Sequence, residues 1–211
     1  AIARFLHNYG CTKIVLCDSK GVIGPARSDL NSAKKDMLAI TNRGRLEGLL
    51  SDALAGSDVF IGVSGPNLVT RKDVETMAPD PIIFAMANPD PEILPAEAKA
   101  AGAAIIATGR SDFPNQINNV LAFPGIFRGA LDVGATAINE EMKLAAAEAI
   151  AGMVSKMGLS PKKIVPSPLN RKVGFAVALA TARAAIKSGV ARFPLPEKEL
   201  AEKIKKNLKI G

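Results

Sequence analysis

Four short apolar runs punctuate the first half of the chain: KIVLCD at 13–18, DVFIGVSG at 58–65, PIIFAMAN at 81–88 and AIIATG at 104–109. A continuous apolar run of this length suits a strand buried on both faces, where alternation would mark a strand with one wet face. Helix-forming stretches with start signals fill the intervals. Asn31 or Ser32 caps LNSAKKDMLAIT, Ser51 opens SDALAG, and Pro95 opens PAEAKAAG. Thr70 begins TRKDVETMA with Asp73 three residues on, as a capping box requires. Strand and helix therefore alternate over short connections, and an open parallel α/β sheet is the architecture that buries such strands.

The opening decapeptide AIARFLHNYG puts Ile2, Phe5, Leu6 and Tyr9 on one helical face, with Gly10 as a stop. A helix leading into a buried strand that ends in Asp18 is the second half of a βαβ dinucleotide-binding unit. In that unit the ribose-binding acid lies about 20 residues beyond the glycine fingerprint, so the spacing expects the first strand and the glycine-rich phosphate loop ahead of residue 1. On local grounds Asp18 also suits the start of a turn, DSKG. The fold expected is thus α/β: a Rossmann-like open parallel sheet with helices on both faces, missing its first strand and glycine-rich loop, followed by C-terminal helices.

Past residue 118 the pattern is helical only. Pro124-Gly125 should kink NNVLAFPGIFRGALD, Asn139 caps NEEMKLAAAEAIAGMVSKMG, and RKVGFAVALATARAAIKSG closes at Gly189. The expected organisation is a dinucleotide-binding domain with its C-terminal helices over 1–190 and a basic helical tail or linker over 191–211. Within that tail Leu200, Ile204 and Leu208 stand four apart, the spacing of a docking face.

Composition excludes several function classes. The net charge of +7 is spread among acids along most of the chain, and aromatics make up only 4% with no Trp. That argues against a nucleic-acid surface, which needs clustered cations and stacking rings. No run approaches the ~20 apolar residues of a membrane span. Cys11 and Cys17 match no metal-ligand spacing and are expected as reduced thiols in a cytoplasmic protein.

Ligands of open α/β sheets bind beyond the carboxyl ends of the strands. Here those ends read Asp18, then Val63-Ser64-Gly65, then Ala87-Asn88, then Thr108-Gly109. They offer neutral amides and hydroxyls on small residues, and Gly65 and Gly109 let a ligand approach the backbone. No nucleophile with an adjacent base is evident, since His7 is the one histidine and lies far in sequence from Ser64 and Ser111. Asp90 and Glu92 of NPDPE read as a turn or helix start before they read as metal ligands. The run SDFPNQINNVLAFPG gathers Asp112, Asn115, Gln116, Asn118 and Asn119 ahead of an apolar stretch. One of these suffices to cap a helix. The remaining amides, near a helix N-terminus, suit the carboxylate and carbonyl oxygens of a small acid and the amide edge of a cofactor.

FIGVSGPNLVT, IIFAMANPDPEILPAEA, ATGRSDFPNQINNVLAFPGIFRGALD and INEEMKLAAAEAIA, in that order, closely resemble the cofactor-binding domain of malic enzyme, especially its compact bacterial and archaeal type. The resemblance implies oxidative decarboxylation of (S)-malate to pyruvate and CO2, with hydride passed to NAD or NADP and a Mg or Mn ion polarising the C2 oxygen. By the same resemblance Asn88, Asn118 and Asn119 are substrate-binding residues. Asp18, Ser19, Lys20, Val63, Ser64, Gly65, Asn88, Thr108 and Asn119 line the cofactor site. An acid at Asp18 favours NAD, whereas Lys20, Lys34 and Lys35 could answer a 2′-phosphate. The family's lysine base, tyrosine acid, metal carboxylates and glycine-rich loop have no matching positions here and are expected before residue 1. The chain alone is therefore expected not to turn over malate, and no catalytic residue or metal ligand is assigned within it. A homo-oligomer, such as a dimer, is expected, with malate or pyruvate as the small-molecule partner and neither nucleic acid nor membrane. The alternatives are a non-catalytic dinucleotide-binding or subunit-interaction module, or another Rossmann-type dehydrogenase.

Overall fold

The computed structural model describes residues 1–209; the last two residues of the basic tail, Ile210 and Gly211, lie outside the described residues. The chain forms two compact units, Ala1–Thr108 and Gly109–Gly211.

The first unit opens with helix α1 (Ile2–Asn8), followed by strands β1 (Cys17–Asp18) and β2 (Gly21–Val22) and helices α2 (Ser32–Met37) and α3 (Leu50–Leu54). Then come β3 (Val59–Gly62), α4 (Arg71–Glu75), β4 (Ile82–Ala85), α5 (Pro95–Ala100) and β5 (Ile105–Thr108). β3, β4 and β5 form a parallel three-stranded sheet in chain order, the Rossmann-like α/β arrangement that the apolar runs call for. Its core gathers Leu54, Phe60, Val74, Met77, Ile83, Ala85, Ile93 and Ala98. Ile83, fully buried at the centre of the middle strand, contributes on the order of 2 kcal/mol by leaving water. The start signals of α2 and α4 work as read. Asn31 accepts from the Lys34 backbone N–H at 2.9 Å, and Thr70 and Asp73 exchange bonds at 3.2 and 2.8 Å.

KIVLCD departs from its expected role as a buried parallel strand. Only Cys17 and Asp18 are paired, and they pair antiparallel with Gly21 and Val22 across the DSKG turn. The turn is tightened by the Lys20 N–H, which donates to Asp18 Oδ1 at 2.9 Å. The rest of the run spends its carbonyls on loops, Ile14 on the Asn42 N–H and Leu16 on the Ile23 N–H, both at 2.7 Å. Val15 is left 38% exposed. Apolarity made the run look like a sheet interior, but its backbone hydrogen bonds go to the β1–β2 hairpin and to the Asn42 loop instead of a parallel neighbour.

The second unit begins with a single 3-10 turn (Asn119–Leu121), followed by α6 (Gly125–Asp132), α7 (Glu140–Met157), α8 (Arg171–Lys187) and α9 (Glu197–Leu208). The break before α6 falls at the expected Pro124-Gly125. Asn139 caps α7 through the Met142 N–H at 3.0 Å. α6 lies close on α8 because Gly129 has no side chain; a methyl there would collide with the Ala178 carbonyl. α9 docks by Leu200 and Ile204, which are 1% and 0% exposed in a core with Val133, Met142, Ala178 and Ala182. A buried polar knot reinforces the junction of α6 and α9. Asp132 Oδ1 accepts from Arg128 at 2.5 Å and from Asn207 at 2.6 Å, while Lys203 donates to the Asp132 carbonyl at 2.7 Å. Among the described residues no helix is long and apolar enough to cross a membrane.

Candidate functional site

In the sheet of the first unit, Gly62, Ala85 and Thr108 share one row of the strand register. The segments Val63–Gly65 and Met86–Asn88 therefore leave the sheet at the same edge, the carboxyl end where ligands of parallel sheets bind. Val63 is 63% exposed, and Ser64 and Asn88 are exposed beside it. The Asn88 side chain makes no hydrogen bond among the described residues, so its amide is available to a ligand. Thr108, by contrast, is only 1% exposed and presents no open surface.

What holds this edge together is a residue that the sequence pattern suggested as a turn or helix start before a metal ligand. Glu92 is 0% exposed. Its Oε1 accepts from the Ser64 N–H at 2.9 Å and its Oε2 from the Ala87 N–H at 3.1 Å. Beyond the register row the Met86 N–H still bonds the Gly62 carbonyl at 3.1 Å, and the next N–H, that of Ala87, goes to this carboxylate. Nothing in the local sequence marks Glu92, apart from an acid followed directly by the apolar pair Ile93-Leu94.

Asp18 is placed on the β1–β2 hairpin with both carboxylate oxygens occupied. Arg27 grips it in a fork at 2.7 and 3.1 Å, and Lys34 Nζ lies 2.5 Å from Oδ2. These hydrogen bonds, the Arg27 one foremost, hold its carboxyl well below the usual aspartate range. Arg27 also bonds Asp29, and Lys20 Nζ reaches Asp29 at 2.8 Å. Three cations thus serve two carboxylates, a locally positive cluster. Ser19 is exposed on the turn, and Cys17 beside it has its thiol pushed up by burial and then by the Asp18 charge. Arg27 escaped sequence reading because its tie to Asp18 spans a turn with no period.

The amide-rich run belongs to the second unit and divides by task. Asn115, 7% exposed, donates to the Pro161 carbonyl at 2.8 Å and accepts from the Ile164 N–H at 3.0 Å, so it fastens a loop. Gln116 lies 3.5 Å from the Gly109 carbonyl. Asn118 caps the 3-10 turn by accepting from the Val120 N–H at 3.1 Å. Asn119 is exposed, and its side chain makes no hydrogen bond among the described residues. Among the described residues no group of three His, Cys, Asp or Glu side chains could hold a metal ion.

Residues 7–186 match the family model described as malic enzyme, NAD binding domain. The chain is 55% identical to the bifunctional malic/malolactic enzyme of Bacillus subtilis, covering 100% of this chain and 52% of that protein. It is 51% identical to the NAD-dependent malic enzyme of Geobacillus stearothermophilus, covering 91% and 40%. Among solved structures, malic enzyme from Pyrococcus horikoshii superposes with a TM-score of 0.88 at 41% identity, over 98% of this chain and 49% of that one. The chain spans about half the length of these relatives.

Proposed function

Because the chain belongs to the malic enzyme family and matches its NAD-binding domain, we propose that it is the cofactor-binding part of an enzyme that converts (S)-malate to pyruvate and CO2. The observation that carries this is the shared register row of Gly62, Ala85 and Thr108, which supports one ligand edge built from neutral groups. A bound nicotinamide supplies the acceptor for the C2 hydride of malate. The exposed Val63 offers an apolar surface to a planar ring, and Gly65 admits close approach to the backbone. Asn88, as a neutral amide at this edge, orients a carboxylate or carboxamide without fixing a charge beside the reacting carbon, and within the second unit Asn119 offers a neutral amide of the same chemistry. Asp18, Ser19 and Lys20 take the ribose end. There the surplus of cations in the Asp18 cluster supports NADP as well as NAD, which broadens the preference that an isolated acid would give. Asn118, already committed as a cap, contributes by aiming Asn119.

The proton acceptor for the C2 hydroxyl, the acid that protonates C3 after CO2 leaves, and the metal carboxylates are assigned to residues outside this chain. The test is to supply the full gene product with (S)-malate, Mn2+ and either NAD+ or NADP+. Pyruvate, CO2 and reduced cofactor should form in equal amounts. Oxidation of malate without CO2 release would contradict the reading.

A further inference from the structure

Glu92 does more than end a turn. Besides its two side-chain bonds, its carbonyl accepts from the Val69 N–H at 3.0 Å, and the neighbouring Pro91 carbonyl accepts from the Asn67 N–H at 3.2 Å. The segments after β3 and β4 are thereby stitched to each other beyond the point where the sheet stops. Gly62 makes room for this, since a Cβ there would overlap the Glu92 carboxylate. We infer that Glu92 is a positioning residue for the nicotinamide half of the site: it draws the N–H groups of Ser64 and Ala87 inward and so sets the backbone from which Val63, Ser64 and Asn88 face the ligand. The inference rests on the dinucleotide reading of this edge. A carboxylate suits the task because it accepts on both oxygens. The isosteric amide has one acceptor and one NH2, so Glu92→Gln must turn a donor toward one of the two N–H groups. That leaves a buried N–H without a partner and lets one turn drift.

The experiment measures two affinities on the full gene product: NAD(P)H, by nicotinamide fluorescence, and ADP-ribose, which lacks the nicotinamide, by calorimetry. Glu92→Gln should weaken NAD(P)H by roughly tenfold, the scale of one buried N–H left unpaired, while ADP-ribose binds as before. Gly62→Ala displaces the same carboxylate with its charge intact. It should show the same selective loss, and it carries the test if Glu92→Gln does not fold. Equal weakening of both ligands, as a merely structural role predicts, or no weakening of either, would overturn the inference. A wild-type protein that binds neither ligand would instead overturn the dinucleotide reading, and the inference with it.

Discussion

Two carboxylates organise the first unit's candidate site at the scale of single residues, and they differ in how far sequence could reveal them. Asp18 was legible as a candidate, because an acid closing an apolar run is the expected place of a ribose partner. Its engagement by Arg27 and Lys34 was not, because those contacts form only when the loop folds back. The consequence is a test of cofactor choice. Replacing Arg27 and Lys34 with Ala should free the Asp18 carboxylate for ribose hydroxyls and leave it facing a 2′-phosphate unshielded. KM for NADP+ should then rise roughly tenfold, the scale of a lost charge-assisted bond, with NAD+ little changed. The same cluster governs acid stability. Asp18 and Asp29 are held below their ordinary values, so the folded state binds fewer protons than the unfolded one once pH falls to the ordinary carboxylate range. Their contribution is complete above about pH 5 and is lost progressively as pH falls through the ordinary carboxylate range toward the depressed folded values. Urea midpoints followed from pH 5 downward should decline, and Arg27→Ala should flatten that decline. Glu92 was illegible for a plainer reason: one of its backbone partners, Ser64, lies 28 residues away, and a backbone N–H carries no sequence signature.

Elements were legible where their signals are local. The caps at Asn31, Thr70 and Asn139 and the break at Pro124-Gly125 appear as read, because each depends on a few adjacent residues. KIVLCD misled because burial on both faces is a property of the neighbours a run acquires, and its apolarity says nothing about them. The Leu200, Ile204 and Leu208 stripe of α9 shows the opposite case, a periodicity that found its partner surface. Ile204→Ala should cost about 2–5 kcal/mol for a buried aliphatic truncated at a packed junction, read as a lower urea midpoint. A change near zero would mean that α9 docks by the Asp132 knot and not by its apolar face.

Taken whole, a chain that spans about half of its relatives carries strand tips, amides and the Asp18 hairpin that we propose for the ribose, while no metal-holding cluster appears among its described residues. If the proton acceptor and metal carboxylates lie outside this chain as proposed, the 211-residue chain assayed alone with malate, Mn2+ and NAD+ should make no pyruvate. Robust turnover would place the reactive groups inside it. The most direct test of the central claim is a structure of the full gene product with NAD(P)+ bound. The nicotinamide should lie against Val63–Gly65 and Asn88, with the adenosine ribose on the Asp18 hairpin. A dinucleotide seated away from those strand tips, or touching only one of the two, would contradict it.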